Sequence, residues 1–251
     1  MVLEIGWKFA VNEDDSHQGW NDSSITNFKD NRLESLTREV IQNSLDAAEE
    51  DNEPVYLTIT ENKINKNEFP NLDEIKQRID LCWQSKDQES KDSQTELKIA
   101  RDTAGKNSFT ILSLSDEWTT GMQGPCEYGK PFYSYLKATG QSGGADDRGG
   151  SHGIGKAAPL GASDLRTIFA STRWKDEETN EEKTCIQGRA TLMSHRDDGT
   201  VYRGIGYWGD KDRFRAIDEN DCEFEWLKRD TIGTTIHIVG WNRVNKQKDW
   251  K

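Results

Sequence analysis

Hydrophobic and polar residues alternate along the chain with two different periods, which separate helical segments from strands. Residues 32–50 carry apolar positions three and four apart, so they predict a long amphipathic helix, and residues 133–138 predict a shorter one. The later strands are joined by charged hairpins such as 177–183. Apolar and β-branched runs predict strands at 55–60, 109–114, 166–173, 185–193, 201–208 and 234–239.

Residues 70–104 predict a helical, very polar insertion between two strands. Leu72, Ile75 and Ile79 form one apolar stripe, whereas residues 84–95 are nearly all polar. The pattern predicts a surface pair of helices with a mobile link. Two interpretations stay open, a segment that recognises a partner and a solvated decoration.

The predicted helix 32–50 carries a line of polar side chains. Glu39, Asn43 and Asp46 follow at intervals of four and three residues, so they project from one helix face. Asparagine and aspartate are poor helix-interior residues, so their presence needs a reason. An amphipathic surface helix is the simpler alternative. Two apolar tracks flank the line and indicate that it faces a cavity: Leu36, Val40 and Ala47, and Ile41, Leu45 and Ala48.

Two further segments carry polar groups at positions typical of ligand sites. Asp116 lies just after the strand 109–114, where open sheets often place ligand-binding groups, and Gly121 and Met122 follow in a loop. A turn or helix-cap aspartate is the alternative. Thr234 opens the last predicted strand.

A glycine-rich segment lies at residues 148–163. Its G-x-x-G-x-G order is the reverse of the dinucleotide fingerprint, so it does not predict a Rossmann site. Glycines allow backbone N–H groups to approach phosphate oxygens, although a flexible surface loop fits the same pattern. The candidate phosphate-binding residues are Gly150, Ser151, His152, Gly153, Ile154, Gly155 and Lys156.

In this order, the four segments resemble the GHKL superfamily, which includes gyrase B subunits, large heat-shock chaperones, sensor histidine kinases and MutL, with MORC-type ATPases close by. The resemblance implies an α/β fold of the Bergerat type, an α+β two-layer sandwich. Its mixed, mostly antiparallel sheet would carry helices on one face and hold ATP between them. It divides the chain into an arm at 1–30, an ATP-binding domain at 31–241 and a tail at 242–251.

The resemblance also implies a role for each matching residue. Glu39 would be the general base that orients water, and Asn43 would bind Mg²⁺ beside Asp46. Asp116 would accept a hydrogen bond from the adenine amino group, and Thr234 would support that corner through a water. The glycine-rich segment would form a lid over the phosphates. The family's usual Asp-x-Gly-x-Gly is altered here, because four residues separate Asp116 from Gly121.

Composition limits the classes of partner. The net charge of −12 argues against a nucleic-acid backbone as a direct ligand, so DNA is expected only through other segments. No apolar run reaches the length of a membrane span, and the first residues do not resemble a signal peptide. The four cysteines are widely spaced, which favours a reduced, cytoplasmic protein without a zinc site.

The expected function is that of an ATP-driven switch, which binds Mg²⁺ and ATP, hydrolyses ATP slowly and forms an ATP-dependent homodimer. By the resemblance, a further domain or subunit would supply a cation to the γ-phosphate, and residues 1–30 would either cross to a partner or pack locally. DNA repair, chromosome handling, chaperoning and defence against phage are the candidate settings. The alternatives are a non-hydrolytic nucleotide-sensing scaffold and a histidine protein kinase, although only His17 precedes the polar helix.

Overall fold

A single antiparallel sheet of eight strands forms the centre of the computed structural model, which describes residues 3–26, 32–48, 54–138 and 155–241. Neighbouring strands follow the order β1-β7-β5-β4-β8-β3-β2, and the short β6 pairs with β7. The strands are β1 (Ile5–Val11), β2 (Tyr56–Asn65), β3 (Ser108–Glu117), β4 (Ser163–Lys175), β5 (Glu182–Thr191), β6 (His195–Asp197), β7 (Thr200–Asp210) and β8 (Gly233–Trp241).

Six α-helices accompany the sheet in the described part of the chain, and none of them is long and apolar enough to cross a membrane. The predicted strands and the two predicted helices at 32–50 and 133–138 are confirmed, each within a few residues of its expected bounds. The helices are α1 (Ser23–Thr26), α2 (Arg32–Asp46), α3 (Leu72–Gln84), α4 (Lys91–Ala104), α5 (Pro131–Leu136) and α6 (Ala158–Gly161).

The α+β class is confirmed, but the expectation of helices on one face of the sheet is wrong. Side chains alternate along β3, so that Phe109 and Ile111 join one hydrophobic cluster while Leu112 and Leu114 join another. The first cluster contains residues of α3 and α4, and the second contains residues of α1, α2, α5 and α6. Both faces of the central strands are apolar, and each requires a cover.

The insertion at 70–104 is part of the core. Its apolar positions Ile75, Ile79, Leu97 and Ala100 are fully buried against the sheet, so the interpretation as a solvated decoration is wrong. The polar residues between α3 and α4 mark only the turn of this helical hairpin. Its buried face is mainly apolar, with Ser93 and Thr103 as buried polar residues of α4.

The first residues of the chain pack within the same chain. β1 forms one edge of the sheet through antiparallel pairing with β7, and Trp7 and Phe9 enter the core. Trp20 is buried and lies 4.3 Å from the guanidinium carbon of Arg166. Local packing therefore describes this segment, and a part in a dimer stays a prediction.

We expect Ile79→Ala to lower the free energy of unfolding by about 2–5 kcal/mol, because the change leaves a cavity in a packed core. Ile99→Ala is the matched control, because Ile99 of α4 is 40% exposed whereas Ile79 of α3 is 0% exposed. The control should cost less than about 1 kcal/mol. Urea unfolding of both variants measures the difference, and equal losses would contradict a core role for the hairpin.

Candidate functional site

Helix α2 lies on the sheet with one narrow apolar line. Leu36, Val40 and Ser44 are buried at intervals of four residues. By contrast, Ile41 is 43% exposed and Leu45 is 59% exposed. Only one of the two expected apolar tracks is therefore buried, and the polar line does not lie between two packed ridges. The polar line lies between the buried line and the solvent-exposed side of the helix.

Glu39 occupies a half-buried position at the border of the helix. The Nδ2 of Asn43 donates to its Oε1 over 3.3 Å. A Cβ at Gly155 would lie 1.7 Å from its Oε2, so a larger residue there would displace the carboxylate. Burial raises the pKa of Glu39, while the Asn43 hydrogen bond and the charge of Lys156 oppose the shift. Gly155, the last glycine of the G-x-x-G-x-G order, is thus in contact with the predicted general base Glu39.

Two cations lie at the end of α5, and one of them, Lys156, is close to Glu39. The Nζ of Lys156 donates to the carbonyl of Ser134 over 2.7 Å, and a guanidinium nitrogen of Arg189 donates to the carbonyl of Leu136 over 2.8 Å. Burial, and then the nearby charge of Arg189, lower the pKa of Lys156. The sequence did not indicate Arg189, because it lies in the interior of strand β5 without a motif around it.

Asp116 lies at the end of β3 with an asymmetric set of hydrogen bonds. Its Oδ1 accepts from the Oγ1 of Thr119 over 2.7 Å and from the backbone N–H of Thr234 over 2.8 Å. Its Oδ2 faces the Oγ of Ser44 in α2 at 3.5 Å, which is a long contact. Burial raises the pKa of Asp116 and outweighs these hydrogen bonds and the charge of Arg229. One oxygen is thus held firmly, while the other keeps acceptor capacity.

The residues predicted to lie at the adenine end of the site form one network around Thr234. Its Oγ1 accepts from the backbone N–H of Met122 over 2.9 Å, while its own N–H reaches Asp116 directly. Gly121 has a φ of +68°, and a Cβ there would lie 2.4 Å from the carbonyl oxygen of Arg173. Gly233 has a φ of +139° and would clash with Asp116 in the same way. Both glycines are therefore required by close backbone contacts.

The altered loop after Asp116 is attached to the end of α2. The backbone N–H of Thr120 donates to the carbonyl of Ala47 over 2.8 Å, and Thr119 forms an isolated bridge with Ala48. Trp118 has a φ of +61°, is 55% exposed and packs edge-on against Tyr56 at 5.2 Å, so it is not a core residue. The longer loop thus lacks the first glycine of the family pattern, and backbone hydrogen bonds tether it to the end of α2.

The structure brings seven of the fourteen predicted residues into two groups along α2. Glu39, Gly155 and Lys156 lie at one group, and Asp116 and its partners Gly121, Met122 and Thr234 at the other. Asn43 and Asp46 are exposed on the helix between them, where Asp46 accepts from Gln42 over 2.8 Å. Gly150, Ser151, His152, Gly153 and Ile154 lie outside the described residues.

A cavity of about 520 Å³ lies apart from these groups, toward the β1 edge of the sheet. It contains none of the predicted site residues. Its walls combine aromatic and polar side chains from β1, α5, β7 and the residues that follow β1 and α5, among them Asn12, Tyr133, Lys137, Arg203 and Tyr207.

Comparisons with known proteins leave the chain without an assigned family. No protein-family model matches it, no curated protein matches it, and no solved structure matches it. The GHKL resemblance therefore depends on the motifs and on the contacts between them.

We expect Gly155→Ala to cost about 1–3 kcal/mol of unfolding free energy, because the new methyl group displaces the Glu39 carboxylate. Gly105→Ala is the control, since Gly105 has a helical backbone and its added Cβ meets neighbours at 3.5 Å or more. In a Glu39→Ala background the Gly155→Ala loss should shrink. Additive losses in a double-mutant cycle would show that the two residues do not touch.

We expect Glu39→Gln to stabilise the protein at neutral pH. Because burial raises the folded-state pKa of Glu39, the wild type loses stability as the pH rises from the unfolded pKa, near 4.3, through the folded value. The gain from the neutral glutamine should vanish below that window. Glu34→Gln, at an exposed site in the first turn of α2, should show no such gain. Urea unfolding across the pH range measures both variants.

Proposed function

We propose that this chain binds ATP with Mg²⁺ beside α2, hydrolyses it slowly and acts as an ATP-driven conformational switch. The observation that carries the proposal is that one helix reaches both groups of residues. Ser44 faces the Oδ2 of Asp116, and Glu39 meets Gly155. Ser44 follows Glu39 by five positions, a rise of about 7.5 Å along the helix, which is a separation that a nucleoside triphosphate spans.

The hydrogen bonds of Asp116 support selection of adenine. An ionised carboxylate only accepts hydrogen bonds, and the Oδ2 of Asp116 has the weaker partner in the described structure. The exocyclic amino group of adenine donates a hydrogen bond at the position where guanine carries an acceptor oxygen. The site therefore favours adenine over guanine. The hydrogen bond from the backbone N–H of Thr234 to Oδ1 fixes the carboxylate in the orientation that the contact with adenine requires.

The residues around Asn43 fit a Mg²⁺ ion that is shared with phosphates. Its Nδ2 donates to Glu39, which leaves the amide oxygen for a hard cation. Mg²⁺ would neutralise charge on the phosphate oxygens when bound. No group of three or more His, Cys, Asp or Glu side chains in metal-binding proximity occurs among the described residues, and a Mg²⁺ shared in this way needs only one or two protein ligands.

Glu39 is suited to orient and deprotonate a water molecule. Its raised pKa makes it a stronger base than an exposed glutamate, and its partners Asn43 and Gly155 fix its position. Lys156 places positive charge near Glu39, where a terminal phosphate would gain charge, and Arg189 lies near Lys156. Both cations are already bonded to carbonyls of α5, so we expect hydrolysis to be slow without an additional cation.

The switch would act through Gly155. Because Gly155 contacts Glu39 at the phosphate end, nucleotide binding would act on its position. We propose that the ATP-bound form dimerises and that a further domain or subunit completes the site. With a net charge of −12, contact with DNA would come from other segments. DNA repair, chromosome handling and anti-phage defence remain the proposed settings.

A non-hydrolytic nucleotide sensor is the second candidate. The altered loop after Asp116 favours it, because Trp118 is exposed where the resemblance implies a glycine-containing turn. Under this alternative, a slow hydrolysis rate would be unchanged in Glu39→Ala.

We expect calorimetry to show Mg²⁺-dependent ATP binding by the wild type and at least about tenfold weaker binding by Asn43→Ala and Asp116→Asn, since each loses more than about 1.4 kcal/mol of binding free energy. The matched controls are Asn62→Ala and Asp102→Asn, at exposed positions of β2 and α4.

Glu39→Gln should keep ATP binding and lower the hydrolysis rate by about 100-fold or more, as expected on loss of a general base. Turnover by the wild type should stay below about 1 s⁻¹, at the low end for enzymes. Failure of the wild type to bind Mg²⁺ and ATP would sink the proposal, and fast turnover would refute the slow-switch part of it.

A further inference from the structure

Arg229 is a buried cation next to Asp116, and among the described residues it donates hydrogen bonds only to neutral oxygens. Its guanidinium donates hydrogen bonds to the Oγ of Ser115 over 2.8 Å and to the Oγ1 of Thr235. It also donates to the carbonyl of Thr231 over 3.3 Å and to the carbonyl of Asp116 over 2.7 Å. Within the described residues, no carboxylate lies within 4.0 Å of it. Burial of a charge without an ion pair is costly, so this arrangement needs a compensating benefit.

The nearest group that benefits from this charge is Asp116. Arg229 contacts the backbone carbonyl of Asp116 and leaves the carboxylate to Thr119, Thr234 and Ser44. Its charge lowers the pKa of Asp116, against the larger opposing effect of burial. The guanidinium thus acts on the carboxylate through space and does not occupy either of its oxygens.

We propose that Arg229 determines base specificity by keeping Asp116 ionised, and this inference depends on the proposed function. Oδ1 already accepts two short hydrogen bonds, so a proton would settle on Oδ2. A protonated Oδ2 donates a hydrogen bond where the ionised one accepts. The ionised form pairs with the amino group of adenine, and the protonated form pairs with the oxygen at the same position of guanine or hypoxanthine. Arg229 is therefore a positioning residue, since it touches no part of the nucleotide.

The other charged groups around Arg229 do not replace its effect. Glu117 and Arg173 lie near it with opposite charges, and Arg173 is paired with Glu182 and Glu219. His237 is fully buried, and its Nδ1 lies 2.9 Å from the Oγ of Ser113. Burial lowers the pKa of His237 to about 3, so this ring stays neutral across the pH range in which Asp116 is tested.

Two variants separate charge from hydrogen bonding. Arg229→Gln keeps a donor for the Asp116 carbonyl and removes the charge, whereas Arg229→Lys keeps the charge and shortens the donor array. Arg203→Gln, at a more exposed position in β7, is the control for loss of an arginine. Thermal unfolding and circular dichroism identify any variant that does not fold.

The first measurement is the binding of ATP and of ITP, which carries hypoxanthine, across about pH 5.5 to 8.5. Arg229→Gln should raise the pKa of Asp116 and so weaken ATP binding at the acidic end of this range. The loss should be about tenfold for each unit by which the pKa rises, and ATP binding should recover as the pH increases. The ratio of ITP to ATP affinity should rise at low pH. The wild type, Arg229→Lys and Arg203→Gln should show a flatter profile.

The second measurement does not depend on nucleotide. Carboxyl carbon NMR of the free protein follows the ionisation of Asp116, with Asp116→Asn to assign its signal. A higher titration midpoint in Arg229→Gln than in the wild type supports the inference, and an unchanged midpoint overturns it. Unchanged pH profiles for ATP and ITP also overturn it. If the wild type binds no ATP while the midpoint still moves, the proposed function fails and the electrostatic part of the inference stands.

Discussion

The packing of one narrow line of α2 against the sheet is the constraint on which the site depends. Leu36 and Val40 join the cluster that also contains Leu112 and Leu114 of β3, so the helix cannot turn without opening the core. That fixed rotation directs Ser44 toward Asp116 and Glu39 toward Gly155. Side chains on the exposed side of α2 are not fixed by packing in this way. The hydrogen bond of Asn43 is to Glu39 of the same helix. The buried line of α2 alone thus fixes the orientation of the site residues on this helix.

Local patterns were sufficient for six of the strands and for α2, but they predicted neither the edge strand β1 nor the contacts between residues distant in sequence. Strand alternation and helical spacing are properties of neighbouring residues, so they predict elements and not the way in which elements pack. The burial of α3 and α4 depends on the second apolar face of the sheet, which appears only after the strands pair. Arg229 was missed for the same reason, because its bond to the Asp116 carbonyl joins residues 113 positions apart.

The distribution of charge differs between surface and site. The chain as a whole is strongly acidic, yet Lys156, Arg189 and Arg229 lie at the two groups along α2. Each of these cations donates to a carbonyl oxygen, so each is partly satisfied before any ligand arrives. Positive charge held in this way has a fixed position, and a preorganised charge needs little rearrangement when an anion binds. An acidic exterior at the same time disfavours nonspecific polyanions.

The tether between the loop 118–120 and the end of α2 joins the two ends of the site into one mechanical unit. Because Thr120 and Thr119 are bonded to Ala47 and Ala48, a shift of the helix displaces the backbone that follows Asp116. The tether thus gives the Gly155 end and the Asp116 end a shared backbone connection through α2. Thermodynamic reciprocity then applies: if filling one end changes the affinity of the other, the second changes the first by the same factor.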